Sequence, residues 1–189
     1  MKIQSKIKDY TVEFVDQVLG KRAEVIGNSL GKRYFFVDAG VYTHYRDQLH
    51  KFFGDDPYLV IEALETNKEY RALAQYYDTL IKVGFTRRDC LVTIGGGILQ
   101  DISGFVASTL YRGIPWIFIP TTLLAQADSC IGSKTSINFG DTKNLIGSFY
   151  PPDMIAIDVA FCKTLTPSYF NSGLGEIIKY HLMVNEEKF

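Results

Sequence analysis

At 189 residues the chain is long enough for one good core and the beginning of a second domain. Its 47% apolar content is ordinary for a globular protein, and a formal net charge of -1 gives no reason to expect a nucleic acid or an anionic membrane as partner. No apolar run reaches about 18 residues, so no transmembrane helix is predicted, and Met1-Lys2-Ile3 runs straight into polar sequence without the apolar segment of a secretory leader.

Ile3–Ile7 and Tyr10–Phe14 read as an opening hairpin joined at Lys8-Asp9. Gln17–Leu30 has mixed helical spacing and ends near Gly31. Arg33–Val37 is a strand closed by Asp38-Ala39-Gly40. Asp38 either faces a cofactor ribose, as carboxylates at such strand ends do, or caps a helix over Val41–Phe53. After the turn Gly54-Asp55-Asp56-Pro57 comes a short strand, Tyr58–Ile61. Thr66 and Glu69 have the spacing of a capping box for a helix with Leu73, Tyr76, Leu80 and Ile81 on one face. A capping box needs neither Glu65 nor Lys68.

Cys90–Ile94 is an apolar, β-branched run that reads as a strand buried on both faces. Gly95-Gly96-Gly97 follow at once, and a helix is predicted from Ile98 to about Leu110. Strand, glycine turn and helix start suit a dinucleotide, because missing Cβ atoms admit a pyrophosphate and free helix N–H groups favour its charge. A tight structural turn explains the glycines equally well. The Gly-x-Gly-x-x-Gly spacing is not met, since Gln100 stands in the third place. Asp101 is either a charge in the first helical turn or a cofactor contact.

Trp116–Ile119 and Ile155–Val159 are further strands, and a helix starts at Pro167. Strands and helices alternating in this rhythm predict an α/β fold, a Rossmann-like, mainly parallel sheet with flanking helices, followed by the start of an α-helical domain. The boundary falls near Thr166, giving residues 1–165 and 166–189. Between Leu123 and Asn144, Asp128, Ser129, Lys134, Thr135, Asn138, Lys143 and Asn144 crowd together without helical amphipathicity. They form a solvated loop or hold a phosphorylated or carboxylated ligand. Glu176 and Lys179, three apart on one helix, are at the least a surface ion pair. Cys90, Cys130 and Cys162 are odd in number, widely spaced and set among apolar residues, as buried thiols in a reducing cytoplasm are. No Cys-x-x-Cys pair suggests a zinc knuckle.

Together these residues resemble the sugar phosphate cyclases, and most closely the 3-dehydroquinate synthase family. The similarity is carried by Gly95–Asp101, Gly104–Ala107, Tyr111-Arg112-Gly113, Pro120–Gln126, Asp128-Ser129, Gly132, Lys134-Thr135, Lys143-Asn144, Gly147, Phe161–Leu165 and Gly173–Tyr180. The resemblance implies NAD as cofactor. Glu65 and Lys68 would hold its adenosine part, and Gly96, Gly97 and Asp101 its pyrophosphate and neighbouring ribose. Asp38, Ile98, Thr121, Thr122, Lys143, Phe161 and Thr164 would be further NAD contacts. Asp128, Lys134, Asn144 and Lys179 would hold the substrate. Arg112 would reach a neighbouring subunit's site, implying a homodimer. Glu176 would be the first of three ligands to a divalent metal, zinc or cobalt.

The implied reaction belongs to the shikimate pathway of aromatic amino acid biosynthesis. NAD transiently oxidises a seven-carbon ketose acid phosphate, phosphate is eliminated, the ketone is reduced again, and an aldol step closes the ring. The family's other metal ligands are histidines downstream of the Glu176 motif, and His44, His50 and His181 do not match them. The expectation is an N-terminal piece that is inactive alone. Gln100 for a glycine, Ser133 for another, Gly40 where Asn is frequent, and the absence of His-Pro-x-Gly before Lys143-Asn144 all depart from the pattern. They leave open a sister cyclase of the 2-epi-5-epi-valiolone or 2-deoxy-scyllo-inosose synthase type. A metal-dependent alcohol or glycerol-phosphate dehydrogenase and a non-catalytic nucleotide-binding module are the other readings.

Overall fold

The computed structural model describes residues 1–27 and 31–184. In chain order it contains β1 (Lys2–Ile3), β2 (Tyr10–Phe14), α1 (Arg22–Ile26), β3 (Arg33–Asp38), α2 (Ala39–Phe53), β4 (Tyr58–Ile61) and α3 (Ala74–Lys82). Then come β5 (Cys90–Gly95), α4 (Gly97–Thr109), β6 (Trp116–Pro120), β7 (Lys134–Phe139), β8 (Thr142–Phe149), β9 (Met154–Ile157) and α5 (Pro167–Val184). The main sheet has the order β1-β2-β9-β6-β5-β3-β4, and only the β1–β2 pair is antiparallel.

The strands read as apolar runs because both faces are covered. Successive side chains point to opposite faces of a strand, so Tyr34, Phe36, Leu91 and Phe118 pack with Tyr76 and Leu80 of α3 and Leu99, Ile102 and Val106 of α4. Phe35, Val37, Val92, Ile94, Ile117 and Ile119 pack on the other side with Leu49, Phe52 and Phe53 of α2 and Val25 of α1. Each such side chain contributes roughly 1.5–3 kcal/mol by leaving water. The sheet is thereby a stiff plate whose carboxyl-end edge can carry a site.

The order in which strands are laid down reverses beside β5: β3 and β4 lie on one side of it, β6 and β9 on the other. In open parallel sheets the crevice at such a switch point, beyond the carboxyl ends of the strands, is where ligands bind. Asp38 at the end of β3, Gly95 at the end of β5 and Pro120 at the end of β6 border it.

Several local expectations are corrected. The first strand is Lys2–Ile3 rather than Ile3–Ile7. The helix expected over Gln17–Leu30 is a 3-10 turn at Val18–Gly20 followed by α1, and Asn28, Ser29 and Leu30 lie outside the described residues. The capping box does not form: Glu65–Lys68 and Tyr70–Leu73 are 3-10 turns, and Glu69 caps the second by accepting from the Arg71 amide at 2.6 Å. Leu73, Tyr76 and Leu80 are buried as expected, but Ile81 is exposed. The polar stretch after Leu123 is not a loop. It holds one π-helical turn, Ala125–Ser129, and the antiparallel hairpin β7–β8.

Candidate functional site

A cleft of about 670 Å3 opens at the switch point. Its walls include Asp38, Glu65, Lys68, Gly96, Gly97, Ile98, Asp101, Thr121, Thr122, Phe161 and Thr164. These are all the residues expected to contact a dinucleotide except Lys143, which stands exposed on β8 away from the cleft lining.

Each is placed by a local reason. Asp38 caps α2, its Oδ1 accepting from the Gly40 amide at 2.7 Å and the Val41 amide at 3.3 Å. Asp38 therefore caps the helix, and it also borders the cleft. Burial raises its carboxyl above the ordinary value, against the pull of those two amides. A Cβ on Gly96 would lie 2.9 Å from Thr122 Cγ2, so packing of the β6 exit demands glycine there. A Cβ on Gly97 would meet only Ser129 Oγ, at 3.8 Å. Nothing in the protein's own packing excludes a side chain at Gly97. Its absence leaves the backbone open to whatever enters the cleft. No side chain caps the N-terminus of α4, so its first N–H groups and dipole are available to an anion. Open amides, a bare glycine and a shaped cavity fit a pyrophosphate.

Asp101 lies in the second turn of α4 rather than the first, and its carboxylate is fully engaged. Lys68 Nζ approaches Asp101 Oδ2 at 2.6 Å, with side-chain exposures of 6% and 20%, and the Ser136 amide donates to Oδ1 at 2.8 Å. Burial still raises the Asp101 carboxyl, outweighing the lysine and the Ser136 donors. The same Lys68 ammonium donates to Asn144 Oδ1 at 2.6 Å, which also accepts from Ser136 Oγ at 3.0 Å. Lysine only donates, so the Asn144 amide is oriented with its oxygen inward and its NH2 outward.

Asp128 sits in the π-helical turn and is half buried, its Oδ1 accepting from the Tyr180 hydroxyl of α5 at 2.7 Å. Gln100 fixes the same turn. It is 6% exposed, and its side-chain amide donates to the Ser129 carbonyl while accepting from Ser129 Oγ at 2.7 Å. Single π turns inserted like this recur at functional sites. Lys134 is exposed at the start of β7, and Arg112 is exposed at φ 65 in the turn that follows the C-terminal end of α4. Neither lines the cleft.

Glu176 and Lys179 form a close ion pair on α5. Among the described residues no group of three His, Cys, Asp or Glu is placed to hold a metal ion. The donors present therefore do not fit a bound metal by themselves. Among the described residues no helix is long and apolar enough to cross a membrane.

Two residues that shape the site are not legible as such: Gln100 reads only as a departure and Tyr180 only as part of a motif, whereas Asn138 belongs to the polar run expected to form a loop or hold a ligand. The sequence alternation runs unbroken through Lys134–Phe139, so nothing in it marks the burial of Asn138.

Residues 58–172 match the 3-dehydroquinate synthase N-terminal family. The 3-dehydroquinate synthase of Streptococcus pyogenes serotype M3 is 38% identical over 180 residues, 94% of this chain and 50% of that protein. The chain thus spans about half the length of the curated relatives it matches. A 2-deoxy-scyllo-inosose synthase solved with carbaglucose-6-phosphate, NAD+ and Co2+ superposes with a TM-score of 0.84 at 27% identity, covering 95% of this chain and 51% of that one. A 2-epi-5-epi-valiolone synthase from Streptomyces hygroscopicus, with NAD+ and Zn2+ bound, gives 0.82 at 31% identity, again covering 95% and 51%.

Proposed function

We propose, since the chain belongs to the 3-dehydroquinate synthase family, that it is the NAD-holding part of a sugar phosphate cyclase acting on a seven-carbon ketose acid phosphate. One observation carries the reading: Glu65, Lys68, Gly96, Gly97, Asp101, Thr121 and Thr122 converge on one cleft at the switch point of the sheet. When bound, NAD supplies a reversible hydride acceptor for a ring hydroxyl. The chain's own residues do the rest of the holding. The open N-terminus of α4 with Gly96 and Gly97 takes the pyrophosphate. Glu65 and Lys68 take the adenosine side, and Asp101 the neighbouring ribose.

Substrate would sit beyond the nicotinamide end, against Asp128 and the outward NH2 of Asn144. Lys134, Lys143 and Lys179 add the positive charge that a phosphate and a carboxylate call for. Holding cofactor and substrate together replaces separate encounters by one oriented assembly. In this reading Arg112 serves the partner's site in a homodimer, and residues 166–189 begin a helical domain. Glu176 would contribute one carboxylate to a divalent metal, zinc or cobalt, whose remaining ligands the described residues do not supply. A cytoplasmic location goes with this reading.

Calorimetric titration of this chain with NAD should show one site, lost in Gly97→Val. Phosphate release by the complete gene product, given NAD, a divalent cation and the seven-carbon substrate, tests the reaction. Release without net NADH is expected. The 189-residue chain alone should give none. Net NADH would point instead to a dehydrogenase. Release from another sugar phosphate only would assign it to a sister cyclase, a reading favoured by the likeness to the two solved sister enzymes and by the missing His-Pro-x-Gly before Lys143.

A further inference from the structure

The hairpin β7–β8 departs from a regular ladder at one place. Ile137 pairs with Ile146 and Phe139 with Thr142, so Asn138 stands alone opposite Lys143, Asn144 and Leu145. Asn144 takes up the slack with a left-handed backbone at φ 55. For a residue other than glycine this conformation costs of order 1 kcal/mol and needs support from around it.

Asn138 gives that support. It is 6% exposed, and its Oδ1 accepts from the Asn144 amide at 2.9 Å. Its Nδ2 donates to Glu65 Oε2 at 2.7 Å and more weakly to the Glu65 carbonyl at 3.4 Å. The orientation of this amide is not arbitrary. A backbone N–H can face only the oxygen, and a carboxylate can face only the NH2. The backbone of Asn138 also bridges to Glu69, just beyond the Glu65–Lys68 turn.

A closed circuit follows. Glu65 holds Asn138, Asn138 holds the Asn144 backbone, and Lys68, from the same turn as Glu65, holds the Asn144 side chain. Both charged members of the adenosine-side motif thus reach into the hairpin from one direction. We propose that Asn138 is a positioning residue that couples occupancy of the cofactor cleft at Glu65 to the presentation of the Asn144 NH2 toward substrate. The inference rests on the cleft being a nucleotide site. A ligand hydroxyl that bonds Glu65 restrains its carboxylate, and through Asn138 it tightens the left-handed turn that aims Asn144. A coupling of this kind is reciprocal, so a ligand on Asn144 must favour the nucleotide by the same factor.

The test is an NMR titration of the 15N-labelled chain with NAD, comparing wild type with Asn138→Ala and Asn138→Asp. In wild type the Asn144 backbone and side-chain amide signals should shift with the same midpoint as the signals of Gly96 and Gly97. In Asn138→Ala, NAD should still bind, with affinity within about threefold of wild type, because no direct ligand contact is lost. The Asn144 response should vanish.

Asn138→Asp keeps the shape and guards against a variant that fails to fold. At pH 7.5 it sets a second carboxylate against Glu65, and the response should be lost. Near pH 5 a shared proton restores the donor to Glu65, and the response should return. Lys68, Glu69, Arg71, Asp101, Lys134 and Lys143 are the other charged groups on the elements packed around the position, and they are unchanged between the variants. An undiminished Asn144 shift in Asn138→Ala would overturn the role of Asn138 while leaving the nucleotide site intact. Absence of any NAD binding by wild type would defeat the nucleotide reading and the coupling with it.

Discussion

Removing the Lys68 ammonium should cost stability through the charge it leaves behind. The Lys68 and Asp101 side chains are only 6% and 20% exposed and approach to 2.6 Å. Deleting one member of a buried pair costs about 3–5 kcal/mol, because the partner stays desolvated and uncompensated. Asp101 is part-exposed and keeps the Ser136 amide as a donor, which places Lys68→Met at or just below the lower end of that range, about 2–3 kcal/mol. For a chain of this size, at about 2–4 °C per kcal/mol, the melting temperature should fall by about 4–12 °C.

The pH dependence has a definite sign. Burial already raises the Asp101 carboxyl, and losing the lysine raises it further. An acid whose folded pKa lies above its unfolded value of about 3.9 weakens folding as pH rises past that value. The deficit should therefore be small at pH 4 and complete by pH 8. Urea unfolding at both pH values measures it, and the double variant Lys68→Met/Asp101→Asn, with no charge left to compensate, should recover more than half. Neither variant should recover NAD binding. A Lys68→Met chain within about 0.5 kcal/mol of wild type at pH 8, or a double variant no better than the single, would refute the reasoning.

Gly96→Ala drives a methyl to 2.9 Å from Thr122 Cγ2 and should cost about 1–3 kcal/mol in urea unfolding, as overpacking does. Gly97→Ala, whose methyl has room, should leave stability equal or slightly raised while weakening NAD at least tenfold by calorimetry. Burial pushes the Cys90 and Cys130 thiols up to about 12, so at pH 8 only about one in 10,000 is thiolate. Mass-resolved iodoacetamide labelling of the folded chain should therefore modify the half-buried Cys162 first, and Cys90 and Cys130 only with unfolding.

The sheet was legible because its signal is local and redundant. A parallel strand covered on both faces must be an apolar run, and Arg33–Asp38, Cys90–Gly95 and Trp116–Pro120 are such runs; the edge strand Tyr58–Ile61 is apolar as well, although Tyr58 and Val60 are exposed. Part of the cleft was legible for a related reason, since Asp38, Gly96 and Thr121 lie where those strands end, whereas Glu65, Lys68, Phe161 and Thr164 were implied only by the resemblance. The hairpin β7–β8 was not. Gly140-Asp141 between Phe139 and Thr142 is a two-residue connection that begins with glycine at φ 57, and such a pair is a hairpin signal. The alternation that would confirm it fails in the second strand, where Thr142, Lys143 and Asn144 are all polar and Leu145 and Ile146 both apolar. The contacts that give Asn138 and Asn144 their meaning span 73 and 76 positions of sequence, and no periodicity encodes a hydrogen bond across that distance.

Gln100 shows how a motif can be absent while its geometry persists. The third glycine of a dinucleotide fingerprint exists so that the helix can pack closely. In α4 that demand falls one turn later, at Gly104, where a Cβ would lie 2.5 Å from Thr135 Cγ2 of β7 and 3.4 Å from the Trp116 ring. Position 100 looks instead toward the π-helical turn. A side chain is tolerated there because Ser129 accepts from and donates to its amide. A glycine at 100 would leave the Ser129 hydroxyl and carbonyl to find other partners, beside the carboxylate of Asp128. What reads in the sequence as a broken fingerprint is, in the fold, an added fastening between the cofactor helix and the turn that carries Asp128.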